Sequence, residues 1–226
     1  MAASAARIAE VLAGLRARSC LAACLAARQK ELPRGRVVPF GLESIDATLG
    51  GGLPRGRVVE VYGPRGSGRL SLAASLLKTA QSQGELVSLV DVADAFDPGS
   101  ANLDLARLLW VRPRTAADGL LSIDRILEAG GFGAAVLYLG NARLHEGAGP
   151  RLSRRAEQAG CALLVVGERA QLGSFSAAAL ELRRTRARWS GGGAAPMCLD
   201  GVSGQVEVKR NKLGPPGDVA QLELAV

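Results

Sequence analysis

Six residues have the types and spacing of a phosphate-handling loop: Gly63, Gly66, Gly68, Arg69, Leu70 and Ser71. They follow a short apolar run, Val58-Val59-Glu60-Val61-Tyr62, and open a helical pattern that continues from Leu70 to about Lys78. In such a strand–turn–helix setting, glycines let backbone N–H groups curl around an anion, and the helix N-terminus favours negative charge. The side chains that would complete the site are different here. The pattern G-x-x-x-x-G-K-S/T places a lysine and then a hydroxyl where this chain has Arg69 and Leu70. A planar guanidinium is no substitute for a compact ammonium, and leucine offers Mg²⁺ no ligand. The loop keeps its cradle and lacks its chemistry.

Other groups with chemical potential have plainer explanations. Asp91, Asp94 and Asp97 cluster beside Pro98, where a strand-to-loop turn accounts for them without a metal. His145, between glycines and with no serine or cysteine to activate, reads as a loop histidine. Cys20, Cys24, Cys161 and Cys198 lack the spacing of a zinc site and read as reduced thiols. Arginines 151, 154 and 155, and 183, 184, 186 and 188, would suit either a nucleic-acid surface or a solvated face. Trp189 is the one aromatic stacker beside them. The expectation is no metal and no cofactor.

The whole chain sets the bounds. It has 226 residues, 48% of them apolar and only 4% aromatic, so its core is built from Ala, Leu and Val. A net charge of +7 favours nucleic acid or acidic protein partners, and an Arg/Ala-rich composition explains it equally well. No run approaches the roughly 18–20 apolar residues of a membrane span. Glu10 argues against reading the Arg-containing N-terminus as an organellar transit peptide.

The elements that must position the loop follow from periodicity. Residues 4–30 pattern as a helix, with Ile8, Val11, Leu12 and Leu15 at i, i+3, i+4 and i+7, and Pro33-Arg34-Gly35 forms a linker after it. A short strand over 36–40 leads to a small helix carrying Ile45 and Leu49. After the loop and its helix come strands at 86–90 and 108–111, a helix over 115–129, a strand at 134–139, a helix around 152–158, and a strand at 162–166. Strands apolar on both faces, alternating with helices, predict a mostly parallel sheet covered on both sides. Beyond Leu172 the pattern changes to antiparallel strands at 180–188, 205–210 and 219–224, joined by turns at 191–193 and 213–217. The organisation is an N-terminal helix and linker (1–35) followed by one α/β core (36–226), with no internal repeat.

The order of these motifs resembles the RecA recombinase core. The resemblance is carried by the run 41–64 (Gly-Leu-Glu-Ser-Ile-Asp-Ala-Thr-Leu through Tyr62-Gly63-Pro64), by Leu89 to Pro98, and by Val208-Lys209-Arg210-Asn211-Lys212-Leu213. It implies a RecA-like sheet flanked by helices with a C-terminal antiparallel extension. It also implies that five positions of the hydrolytic site have changed. The loop lysine falls on Arg69 and the Mg²⁺-binding hydroxyl on Leu70, with Ser71 keeping a second hydroxyl. The water-activating glutamate falls on Ala93 and the aspartate at the end of the next core strand at or near Leu139. The nucleotide-sensing glutamine falls on Glu168. Without metal and positioned water, the charge developing in phosphoryl transfer has no stabiliser, so the expectation is a pseudo-ATPase and no enzyme. The second DNA-binding loop is shortened to residues 170–178.

Two RecA-like groups with a lost ATPase are similar: ImuA, the translesion-synthesis accessory protein that works with ImuB, and SulA, the SOS-induced inhibitor of FtsZ. The N-terminal helix and basic end resemble ImuA more. The implied role is a non-catalytic adaptor in the bacterial cytoplasm, at the nucleoid, with RecA and ImuB as partners and capping of RecA filaments as one action. An FtsZ-binding division inhibitor and a weak ATPase or DNA-binding recombination mediator are the alternatives. The resemblance also implies partner contacts through Arg210 and Lys212, which match cations that RecA offers to a neighbouring subunit's ATP, and through Ile8, Val11, Leu12 and Leu15. Nucleic-acid contact would be weak, through the basic surface. No membrane contact is expected, and homo-oligomerisation stays open.

Overall fold

The computed structural model describes residues 36–192, 197–213 and 219–225. The helix read over 4–30, with Ile8, Val11, Leu12 and Leu15, lies outside the described residues.

Among the described residues, ten strands and four α-helices follow in chain order. They are β1 (Val37–Val38), α1 (Glu43–Thr48), β2 (Leu53–Pro54), β3 (Val58–Tyr62), α2 (Arg69–Ser82), β4 (Leu86–Asp91), β5 (Leu108–Val111), α3 (Ala116–Ala129), β6 (Phe132–Gly140), α4 (Ala148–Ala159), β7 (Ala162–Gly167), β8 (Ala178–Ser190), β9 (Cys198–Asn211) and β10 (Val219–Ala225). β1 and β2 form a two-residue antiparallel ladder. The other eight strands make one sheet in the order β10-β9-β8-β3-β7-β6-β4-β5. β8, β3, β7, β6, β4 and β5 run parallel, and β9 and β10 add antiparallel at one side. This is the mostly parallel, late-antiparallel architecture expected from the pattern.

The sheet separates two apolar layers because strand residues alternate sides. On β6, Ala134, Val136 and Tyr138 join the layer under α2, while Ala135, Leu137 and Leu139 join the layer under α3 and α4. α2 contributes Leu72, Ala73, Leu76, Leu77 and Ala80, spaced for one buried helical stripe. α3 starts at Thr115, whose hydroxyl accepts the Asp118 N–H as an N-cap. Asp124 on α3 is buried and takes Arg151 (2.8 Å) and Arg155 (2.9 Å) from α4, clasping the two helices. Burial pushes its carboxyl up, but the two guanidinium hydrogen bonds outweigh this and hold it below the usual range. Two arginines of the 151–155 group are therefore engaged in an intramolecular ion pair while staying partly exposed.

Most boundaries fall within a few residues of the expected ones. The main differences are lengths: α2 runs on to Ser82 and β9 spans Cys198–Asn211, beyond the 205–210 run. The polar and glycine-containing start of β9 is a strand because it pairs with β8 and β10, with register shifts around Arg184/Arg186 and Arg188/Trp189. No helix among the described residues is long and apolar enough to cross a membrane.

Candidate functional site

The site lies where β3, β4, β6 and β7 end. β3 stops at Tyr62, and Gly63 follows at φ 157, where the Leu182 carbonyl occupies the place of a Cβ. Gly66 and Gly68 adopt positive φ of 75° and 89°, so the loop curls into the first turn of α2. Gly68 is the N-cap position and supplies no side-chain cap. The backbone of a phosphate cradle is thus present.

Its side chains are turned to other tasks. Arg69 is 4% exposed, with its guanidinium 5.9 Å from the Tyr138 ring centre and 4.0 Å from Glu168. Leu70 packs on the α2-side apolar layer, and Ser71 faces solvent. Ser67 Oγ and Arg69 Nη1 are both buried, and neither has a hydrogen-bond partner among the described residues. Burial pushes the Tyr138 phenol up, opposed by the Arg69 charge.

Ala93, Leu139 and Glu168 are placed as follows. Ala93 is exposed at the end of β4, and its methyl lies 2.7 Å from where a Cβ on Gly140 would stand. Leu139 points away from the loop: it is 1% exposed and belongs to the layer under α3 and α4. Pairing with β7 jumps from Tyr138↔Val166 to Gly140↔Gly167, so Leu139 sits at a register irregularity. Tyr138 is the β6 residue presented to Arg69, and strict alternation along 134, 136 and 138 could have found it. Glu168 is fixed from behind, its backbone N–H donating to the Gly140 carbonyl (2.8 Å).

Asp91 has a structural role. One carboxylate oxygen accepts the N–H groups of Ala95 and Phe96, both at 2.9 Å, folding the loop after β4. Asp97 accepts the Gly99 N–H, and Asp94 lies 3.5 Å from Arg112. Among the described residues no acidic, histidine or cysteine cluster could hold a metal. His145 accepts the Gly147 N–H through Nδ1 and shapes its own turn.

A neighbouring segment, residues 168–176, is held far more firmly. Glu60, buried in β3, accepts the N–H groups of Gln171 (2.5 Å) and Leu172 (3.1 Å) through one oxygen. Burial pushes its carboxyl up, against those two hydrogen bonds and the Arg210 charge. Gln171 in turn takes the Leu144 N–H and donates to the Ala142 carbonyl, tying this segment to the loop after β6 across a cleft of about 260 Å³. Arg210 donates to the Gly173 carbonyl and to Ser176 Oγ (3.0 Å), and Lys212 donates to the Ser174 carbonyl. Both cations thus engage the chain's own turn. Glu60 and Gln171 were missed in the sequence reading; a lone carboxylate inside a valine-rich strand was the available signal for Glu60.

The sequence model of the RecA N-terminal domain matches residues 21–141, more than half of the chain. The chain belongs to the RecA family. The RecA protein of Gloeothece citriformis is 25% identical over 231 residues, covering 84% of this chain and 64% of its own length. That of Kineococcus radiotolerans is 38% identical over 109 residues, 46% of this chain. The chain therefore spans less than two thirds of the first of these RecA proteins. A RadB recombinase crystal structure superposes with a TM-score of 0.61 at 19% identity, covering 82% of this chain and 94% of that one, which places the fold in the same class. The matched span includes residues 63–71.

Proposed function

We propose that this RecA-family chain is a non-catalytic adaptor in the DNA-damage response, of the ImuA type, which supports translesion synthesis by binding RecA and mutasome components such as ImuB. One observation carries the loss of catalysis: Arg69 is buried between Tyr138 and Glu168, with Leu70 packed in the core beside it. Phosphoryl transfer needs metal and positioned donors around the transferring group. Here the hydroxyl is missing at Leu70, the glutamate at Ala93, and the residue at Leu139 faces the wrong layer. The adaptor role rests on the family relationship, the loss of those groups and the basic charge.

Arg210 and Lys212 keep their proposed part as partner contacts. Offering them to another subunit's phosphates would exchange their bonds to the 173–176 turn for charge-assisted ones.

ATP turnover tests the reading. The wild-type protein and Arg69→Lys should both stay at the level of a protein-free blank, since Ala93 and Leu139 are unchanged in the single variant. Turnover that co-purifies with the wild-type protein would establish the weak-ATPase alternative.

A further inference from the structure

The loop is unusual in holding a buried cation whose hydrogen-bonding capacity is only partly used. Arg69 has Nη1 without a partner among the described residues, Ser67 Oγ beside it in the loop is in the same state, and both residues are more than nine-tenths buried. The one carboxylate recorded as an ion-pair partner of Arg69 is Glu168, at 4.0 Å, too far for a direct hydrogen bond. Tyr138 supports the guanidinium from the β6 side.

We infer that Glu168 is an autoinhibitory stand-in for a phosphate: its carboxylate neutralises Arg69 and repels anions from a cradle whose donors remain in place. The inference rests on the reading that the loop no longer performs catalysis, and it adds a reason why phosphate would bind there weakly. Glu168 is well placed for this because its own backbone is anchored on Gly140, at the end of the strand that carries Tyr138. Its side chain is 26% exposed against 4% for Arg69, so its charge is nearer to solvent than the cation it accompanies. An incoming phosphate group would meet a like charge before it met Arg69. Removing a like charge from about 4–6 Å of a bound anion changes affinity by a factor on the order of ten or more. Glu168→Gln removes that charge with little change of shape and leaves the glycines, Ser67 and Arg69 untouched.

Inorganic pyrophosphate is the probe, with affinity measured by titration calorimetry on the full chain and folding checked by circular dichroism. Glu168→Gln should bind pyrophosphate on the order of tenfold tighter than wild type, and the gain should vanish in Glu168→Gln/Arg69→Met. Equal affinities in wild type and Glu168→Gln, including no binding by either, would overturn the inference. So would a gain that survives loss of Arg69. Glu168→Thr serves as the second neutral variant if the glutamine protein does not fold. ATP turnover by the wild-type protein would instead overturn the non-catalytic reading, and the pyrophosphate comparison does not depend on it.

Discussion

Two segments leave the same end of the sheet and anchor their polar groups to different degrees, although Glu60 Oε2, on the anchor of the second, also lacks a partner among the described residues. The loop at 63–71 buries Ser67 Oγ and Arg69 Nη1 without partners among the described residues. The segment at 168–176 is tied down by Glu60, Gln171, Arg210 and Lys212, each bonded to backbone across the fold. Buried polar groups are ordinarily satisfied, and a leftover one marks a place whose former task has gone or whose ligand is missing. The contrast is between a loop with few side-chain anchors and a segment with several.

The largest effect should come from cutting the maintained side. Glu60→Leu leaves the Gln171 and Leu172 N–H groups without their acceptor, and should cost about 2–4 kcal/mol of stability by urea denaturation. Glu60→Gln keeps that acceptor and should cost much less. The pair also gives a pH test. Because the folded carboxyl of Glu60 is raised above its usual 4.5, its favourable contribution is complete below that value and is lost as pH rises through the folded value. Glu60→Gln should flatten this part of the stability profile. An unchanged slope would mean that Glu60 does not titrate as described.

A smaller effect should follow from replacing Arg210 and Lys212 together by Ala. The loss of their carbonyl contacts, at partly exposed positions, should cost about 1–2 kcal/mol in the same denaturation assay. If these residues also contact RecA, nucleotide-dependent co-sedimentation with RecA should weaken as well. Unchanged co-sedimentation would remove them from the partner surface while leaving their structural role intact.

The smallest effect should be at the loop. Ser67→Ala removes a buried hydroxyl that has no recorded partner, so stability should stay within about 0.5 kcal/mol of wild type or rise slightly. A loss above about 1 kcal/mol would show that Ser67 is bonded after all, and would erase the contrast between the two segments.

Much of this molecule was legible in its residues. The alternation of apolar strands and amphipathic helices gave the parallel sheet, because burial on both faces leaves a continuous apolar signature at β4, β6 and β7. The identities of Arg69, Leu70 and Ala93 carried the expectation of a non-catalytic loop, which rests on residue type and not on the fold. What escaped was set by distant pairing. Arg210 meets Ser176 across 34 residues and Glu60 meets Gln171 across 111, separations at which local patterns carry no information. The resemblance placed an aspartate position at or near Leu139 by motif order, whereas simple alternation along β6 puts Tyr138 on the face of Arg69 and Leu139 on the opposite one. The two arginines that α4 spends on Asp124 were likewise indistinguishable, in sequence, from solvated ones.

The inward face of Leu139 has a consequence for descent. An aspartate restored there would enter an apolar layer formed with Leu120, Ile123 and Leu152, where an unpaired carboxylate costs several kcal/mol. Such a reversion would be penalised before it could bring any activity, and a glutamate regained at Ala93 or a lysine at Arg69 would not relieve the penalty. The packing thus closes position 139 to acidic side chains, whatever the loop at 63–71 carries.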